Sequence, residues 1–261
     1  MKVTISTFQK LKGNGKITSI TAYDALFARI FDGEVDMILV GDSLSMSFGG
    51  NKDTIPLSLD SMIYHTQAVS KVVKKSLLIA DMPFGSYNTN KSALKNATKL
   101  YKEGGADAIK IEVNENKIDM VKMLSDNGIA TMPHIGLMPQ FYRFEGGYKI
   151  KGKSKEEKDS MLELALKLQD AGAFSLLIEG TKSDIARDIT QNLKIPTIGI
   201  GSGNHTDGQI LVWSDMFGFF DEFKPKFVRQ YLNGKELLKK SIKQYADDVK
   251  NLRFPNDDES Y

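Results

Sequence analysis

Short apolar runs ending in a polar or acidic side chain recur along the chain at helix-length intervals. Met37-Ile38-Leu39-Val40 leads into Gly41-Asp42-Ser43, and Leu77-Leu78-Ile79-Ala80 into Asp81. Ala108-Ile109-Lys110-Ile111 ends at Glu112, Ala130-Thr131-Met132-Pro133 at His134, and Ser175-Leu176-Leu177-Ile178 at Glu179. One such run means little, because acids are common in turns. Several, separated by polar stretches of helical length, predict a parallel sheet whose carboxyl edge gathers acidic side chains.

The remaining pattern fills in the alternation. Ile17–Thr21 is β-branched and reads as a first strand, followed by a helix over 22–31 with Asp24 as a candidate N-cap. Helices are expected over 58–75, from the cap residues Asn88–Ser92 to Glu103, and over 117–127, 156–171, 183–193 and 234–252. Gly104-Gly105, Gly128 and Gly172 supply stops. Residues 195–200 make a seventh strand, and Lys224–Val228 is the candidate for the eighth. Residues 45–56 form a Gly-containing loop. The segment 137–153, with Gly146-Gly147 and Gly152, has the length of a functional lid or a disordered segment. The chain reads as a single barrel domain over 1–261, with an N-terminal extension (1–16) and a polar C-terminal tail (253–261).

Length supports this, since 261 residues suits one α/β barrel. A formal net charge of +2 gives no global nucleic-acid or membrane signature. The absence of cysteine excludes disulfides, cysteine nucleophiles and thiolate metal sites, and fits a reducing compartment. Met1–Thr7 lacks the apolar core of a signal peptide, and no apolar run approaches the ~20 residues that span a bilayer. A cytoplasmic location is expected.

Carboxylates without histidine or thiolate companions favour a hard cation, magnesium first. Asp42 and Asp81 follow adjacent strands and suit neighbouring corners of one ion, with Glu112 completing the shell directly or through water. The alternative is that these acids cap helices or solvate loops. Lys110 and Glu112 share parity on one strand and point into the barrel. Such a lysine serves either a structural ion pair or a substrate anion. His134 can donate a hydrogen bond to the same ligand, or be a satisfied core residue. Glu179 stands apart from the metal acids and is a candidate base or a capping acid. Gly199-Ile200-Gly201-Ser202-Gly203 reads as a backbone-donor loop or a tight turn.

With these residues in place, the sequence resembles the ketopantoate hydroxymethyltransferase family. The matching blocks include Val40-Gly41-Asp42-Ser43-Leu44, Ala80-Asp81-Met82-Pro83-Phe84, Lys110-Ile111-Glu112, His134–Gln140, Gly146–Lys149, Gly199–Gly203 and Thr206–Val212. Val113-Asn114 departs from the pattern, standing where a pair of glycines is common. The resemblance implies a (β/α)8 TIM barrel of the phosphoenolpyruvate/pyruvate-binding type, in a homo-oligomer, commonly a decamer. It implies one Mg²⁺ per subunit on Asp42, Asp81 and Glu112. Substrate contacts would come from Asp42, Ser43, Asp81, Lys110 and His134, and Glu179 would accept the proton. The implied reaction joins 3-methyl-2-oxobutanoate, 5,10-methylenetetrahydrofolate and water to give 2-dehydropantoate and tetrahydrofolate, a hydroxymethyl transfer. The folate's glutamate tail would then be the anion for Lys149, Lys151 and Lys153, the alternative being a solvated charge run. Two alternatives share the features: another Mg-dependent lyase or mutase of the same barrel superfamily, and a non-catalytic metabolite-binding barrel.

Overall fold

The apolar runs pair in the order in which they occur. In the computed structural model, which describes residues 1–220 and 224–261, the strands are β1 (Ile17–Thr21), β2 (Met37–Val40), β3 (Leu77–Asp81) and β4 (Ala108–Glu112). They continue as β5 (Thr131–Gly136), β6 (Leu176–Glu179), β7 (Thr197–Ile200) and β8 (Gly208–Leu211). All neighbours are parallel, and β8 returns to β1 to close a barrel. The chain forms two compact units, Met1–Val212, which contains the barrel, and Trp213–Tyr261.

The crossovers β1–β2 to β6–β7 carry the helices Ala25–Phe31, Leu59–Ser70, Asn90–Lys99, Ile118–Asp126, Lys155–Asp170 and Ser183–Asn192. Each buries one stripe: Met62, Ile63, Thr66 and Val69 on one, Ile185, Ala186, Ile189 and Thr190 on another. That is the spacing which brings side chains onto one helical face. Asp24 caps its helix as expected, accepting from the backbone N–H groups of Leu26 and Phe27. The helix expected over 58–75 stops at Ser70, where the chain turns towards β3. Val113, at the departure from the family pattern, donates its N–H to His134 O, and Asn114 caps the next short turn.

The eighth strand is a correction. Lys224–Val228 forms a turn, closed by the Val228 N–H to Pro225 O bond at 3.0 Å. The closing strand is Gly208–Leu211, joined to β7 by residues 201–207 without a helix. Its pattern is faint because Gly208 and Gln209 occupy half of it. Gly208 is required there: a Cβ would meet Ile17 and Ile198 across the seam.

The inward rows explain where chemistry can sit. Towards the amino ends of the strands, Met37, Leu77, Ile79, Ala108, Met132, Leu177, Ile198 and Ile210 form a buried cluster. The short helix Ile5–Gln9 lays Phe8 into this cluster, edge-on to Phe174 at 5.9 Å between ring centroids. Two residues further along the same rows, Ile79 gives way to Asp81, Ala108 to Lys110, Met132 to His134 and Leu177 to Glu179. With a period of two, these polar side chains share the inward face at the carboxyl end.

The second unit contains the helices Trp213–Met216 and Gly234–Lys250. On the latter, Leu237, Leu238, Ile242, Tyr245 and Val249 are all exposed, between 41% and 62%. Among the described residues, no helix is long and apolar enough to cross a membrane.

Candidate active site

Strand register assembles the polar cluster. Lys110 lies opposite Asp81 in the β3–β4 pairing, and its ammonium donates to Asp81 Oδ2 at 2.6 Å. Both side chains are buried. The turn after β2 presents the Asp42 N–H to the same Asp81 oxygen at 3.2 Å. Glu112 lies opposite His134 across β4–β5, with His134 Nδ1 3.8 Å from Glu112 Oε1. On the other side of the ring, His134 Nε2 is 3.4 Å from Glu179 Oε2. Ser43 shares a 2.7 Å hydroxyl contact with Tyr23, which also accepts from Thr21 Oγ1 at 3.0 Å.

The cluster thus comprises two chains of contacts: Asp42–Asp81–Lys110 and Glu112–His134–Glu179. Gln140 spans them. Its backbone N–H donates to the Glu112 carboxylate (3.1 Å to Oε2), and its Nε2 donates to Asp42 Oδ2 at 2.9 Å. Sequence reasoning gave Gln140 no role, although it lies in a quoted block. No local spacing signals a contact reaching back 98 positions. Tyr87 and Tyr23 were missed for the same reason.

Charge is the dominant physical fact here. Asp42, Asp81, Glu112 and Glu179 surround Lys110 as the buried ammonium among the described residues. Burial pushes the Asp81 carboxyl up to about 7, with the Asp42 charge adding to it and Lys110 opposing it. Glu112 is raised well above the ordinary range, first by burial and then by the neighbouring carboxylates. Glu179 is pushed up to about 8, mainly by burial. Lys110 is held above its ordinary value because Asp81, Asp42 and Glu112 more than offset burial. His134 is depressed by burial and by Lys110, so it is neutral near pH 7.

Such a cluster is short of positive charge. Asp81 Oδ1 is buried without a hydrogen-bond partner, as are both ring nitrogens of His134. An all-oxygen donor set with an orphaned carboxylate oxygen fits a hard divalent cation. The fit is best at Asp42 and Asp81. Glu112 already accepts from Gln140, and among the described residues no three acids or histidines converge tightly enough to enclose an ion by themselves.

A stability test follows from the same shifts. The folded chain holds protons on Asp81 and Glu179 up to about 7 and 8, whereas the unfolded chain releases them near the ordinary carboxylate values. Between those limits the folded state binds more protons, so stability declines as pH rises. Melting of the metal-free protein is expected at a lower temperature at about pH 8.5 than at about pH 5, with added Mg²⁺ restoring more at the higher pH. A melting temperature that rises over this interval would contradict the charge arrangement.

The segment 137–153 is fastened at both ends. Arg143 Nε donates to Asp53 Oδ2 at 3.0 Å, and the Lys151 N–H donates to Gly180 O at 2.9 Å. The Lys151 ammonium is paired with Glu145 at 2.7 Å. The loop after β7 is a tight turn knitted to its neighbours. Ser202 Oγ donates to Ile178 O and accepts from the Thr181 N–H, while Gln209 donates to Gly203 O.

The chain is similar to known proteins along nearly its whole length. The family model described as ketopantoate hydroxymethyltransferase matches residues 2–257. A Helicobacter hepaticus protein named 3-methyl-2-oxobutanoate hydroxymethyltransferase is 61% identical over 260 residues, covering 100% of this chain and 98% of its own. A Campylobacter fetus protein of the same name is 60% identical over 260 residues, with 100% and 98% covered. Among solved structures, a phosphonopyruvate hydrolase in complex with oxalate and Mg++ aligns with a TM-score of 0.62, at 13% identity, covering 99% of this chain and 93% of the other. A 2,3-dimethylmalate lyase of the PEP mutase/isocitrate lyase superfamily aligns at 0.56, at 14% identity, covering 98% and 89%.

Proposed function

The chain belongs to the ketopantoate hydroxymethyltransferase family, and from that premise we propose that it joins 3-methyl-2-oxobutanoate, the one-carbon unit of 5,10-methylenetetrahydrofolate and water, giving 2-dehydropantoate and tetrahydrofolate. The observation that carries this reading is one buried cluster holding a cation-deficient acid pair, an ammonium and a separate raised-pKa carboxylate.

Each part has a task. Asp42 and Asp81 would hold Mg²⁺, with Glu112 completing its shell directly or through water. When bound, the ion would supply positive charge at the keto oxygen and carboxylate of the substrate, acidifying its C3 proton. Lys110, fixed by Asp81, offers its remaining N–H groups to the substrate carboxylate. Ser43, aligned by Tyr23, and neutral His134, whose ring nitrogens lack hydrogen-bond partners, orient the keto acid. Glu179, 18% exposed at its side chain, takes the proton from C3. Water releases the one-carbon unit from the folate as formaldehyde, with tetrahydrofolate leaving. The carbanion bonds to that carbon, and the alkoxide formed takes the proton back from Glu179. Its raised pKa strengthens it as a base once ionised. Lys149 and Lys153 would meet the glutamate tail of the folate, whose carboxylates need cationic partners.

The test is incubation with both substrates and Mg²⁺, followed by identification of the product. Formation of 2-dehydropantoate with release of tetrahydrofolate is expected. Turnover of the keto acid without folate would favour the second reading, a lyase or mutase on the same barrel. We further propose a cytoplasmic homo-oligomer, probed as a decamer by sedimentation. The exposed apolar face of Gly234–Lys250 supports association.

A further inference from the structure

We infer that Gln140 is a positioning residue that couples the cation-binding acids to the segment 137–153, so that loading one orders the other. The inference rests on the metal reading above and goes beyond it. Gln140 is 3% exposed, and its backbone N–H and both ends of its side-chain amide are committed. Its backbone N–H lies on Glu112 and its Nε2 on Asp42 Oδ2 and on Met82 O, at 2.9 Å and 3.0 Å. Its Oε1 accepts from the Tyr87 hydroxyl at 2.5 Å.

The direction of this network is fixed by its own logic. Tyr87 OH accepts from the Glu112 N–H, so its hydrogen is free to donate, and Gln140 Oε1 receives it. The amide N–H groups must then face the other way, where two oxygens wait. Tyr87 is itself held: it is buried, and the Lys117 ammonium lies 3.9 Å above its ring centroid. Gln140 therefore keeps Asp42 Oδ2 as an acceptor and fixes the rotation of that carboxylate. Hydrogen bonds of this kind to a ligating carboxylate are worth about 10–100-fold in metal affinity.

The same residue begins the loop. Phe141, Tyr142, Arg143 and Glu145 follow it directly, and Gly146 and Gly147, both with positive φ, make the bend. A cation that draws on Asp42 and Glu112 therefore pulls on a residue whose chain continues into the loop. By reciprocity, ordering of the loop must improve cation binding by the same factor.

The test uses the full chain with Mg²⁺ alone. Calorimetry reads the affinity, and amide hydrogen exchange reads residues 141–150 with and without the ion. In the wild type, Mg²⁺ is expected to slow exchange across this segment. Gln140→Met keeps the volume and removes the side-chain bonds. It should weaken Mg²⁺ binding about 10–100-fold and abolish the loop response, with exchange in the barrel strands unchanged. Tyr87→Phe releases the amide while leaving the core filled, and should shift both readouts in the same direction. It decides the matter if the Met variant does not fold. Mg²⁺ affinity within about twofold of wild type, with an intact loop response, would overturn the inference. A wild-type chain that binds no Mg²⁺ would overturn both this and the metal reading. A wild type that binds Mg²⁺ and orders its loop, yet forms no 2-dehydropantoate, would remove only the functional reading.

Discussion

Glu179→Gln is expected to bind the keto acid normally and to exchange its C3 proton for deuterium at least ~100-fold more slowly than wild type, the usual worth of a positioned general base. The substitution keeps the size of the side chain and its ability to meet His134 Nε2, 3.4 Å away. It removes only the basicity. The wild-type exchange rate should climb with pH towards about 8, the value at which burial holds Glu179, because only the ionised form accepts a proton. Added Mg²⁺ should move this rise to lower pH, since a nearby cation favours the carboxylate. Exchange by the variant at the wild-type rate would transfer the role to another group, His134 first.

Asp81→Asn should be the more damaging change at the metal. Asp81 uses Oδ2 for Lys110 and for the Asp42 N–H, and leaves Oδ1 buried without a partner. An amide at this position retains an acceptor for the ammonium, so the barrel should fold. The cation loses one of its two anionic anchors. Since changes outside the direct ligands already cost about 10–100-fold, a loss of Mg²⁺ affinity of at least ~100-fold is expected, with keto acid binding falling alongside it. Asp42→Asn should act in the same direction, with the Lys110 pair undisturbed. Calorimetry with Mg²⁺ separates metal loss from misfolding, and activity in excess chelator would falsify the metal reading outright.

Most of this was written locally. The strand ends that carry Asp42, Asp81, Lys110, Glu112, His134 and Glu179 announce themselves because buried parallel strands are continuous apolar runs, and a polar residue closing such a run stands out. Parity alone placed Lys110 and Glu112 on one face. The eighth strand was illegible because it needs a glycine where another residue would show β-propensity, and because Gln209 is exposed in the middle of it. Gln140 was illegible for a different reason. Its partners Asp42, Met82, Tyr87 and Glu112 lie 28 to 98 positions away, and a glutamine after a proline looks like any loop residue. The pairing of Lys151 with Glu145 was equally hidden, since loop geometry decides which charges meet.

The seam between β1 and β8 bears on how the chain is made. Ile17 pairs with Gly208, 191 positions later. During synthesis at about 5–20 residues per second, the backbone groups of Ile17–Thr21 on that side wait roughly 10–40 s for their partner to leave the ribosome. Until then the nascent sheet carries two open edges, of the kind that recruit other strands. The weak apolar character of Gly208–Leu211 makes the last edge a poor aggregation nucleus, at the cost of leaving closure to a glycine fit. A nascent chain halted just before Gly208 should therefore be the one that chaperones bind most persistently, and release should coincide with the emergence of the four residues that complete the ring.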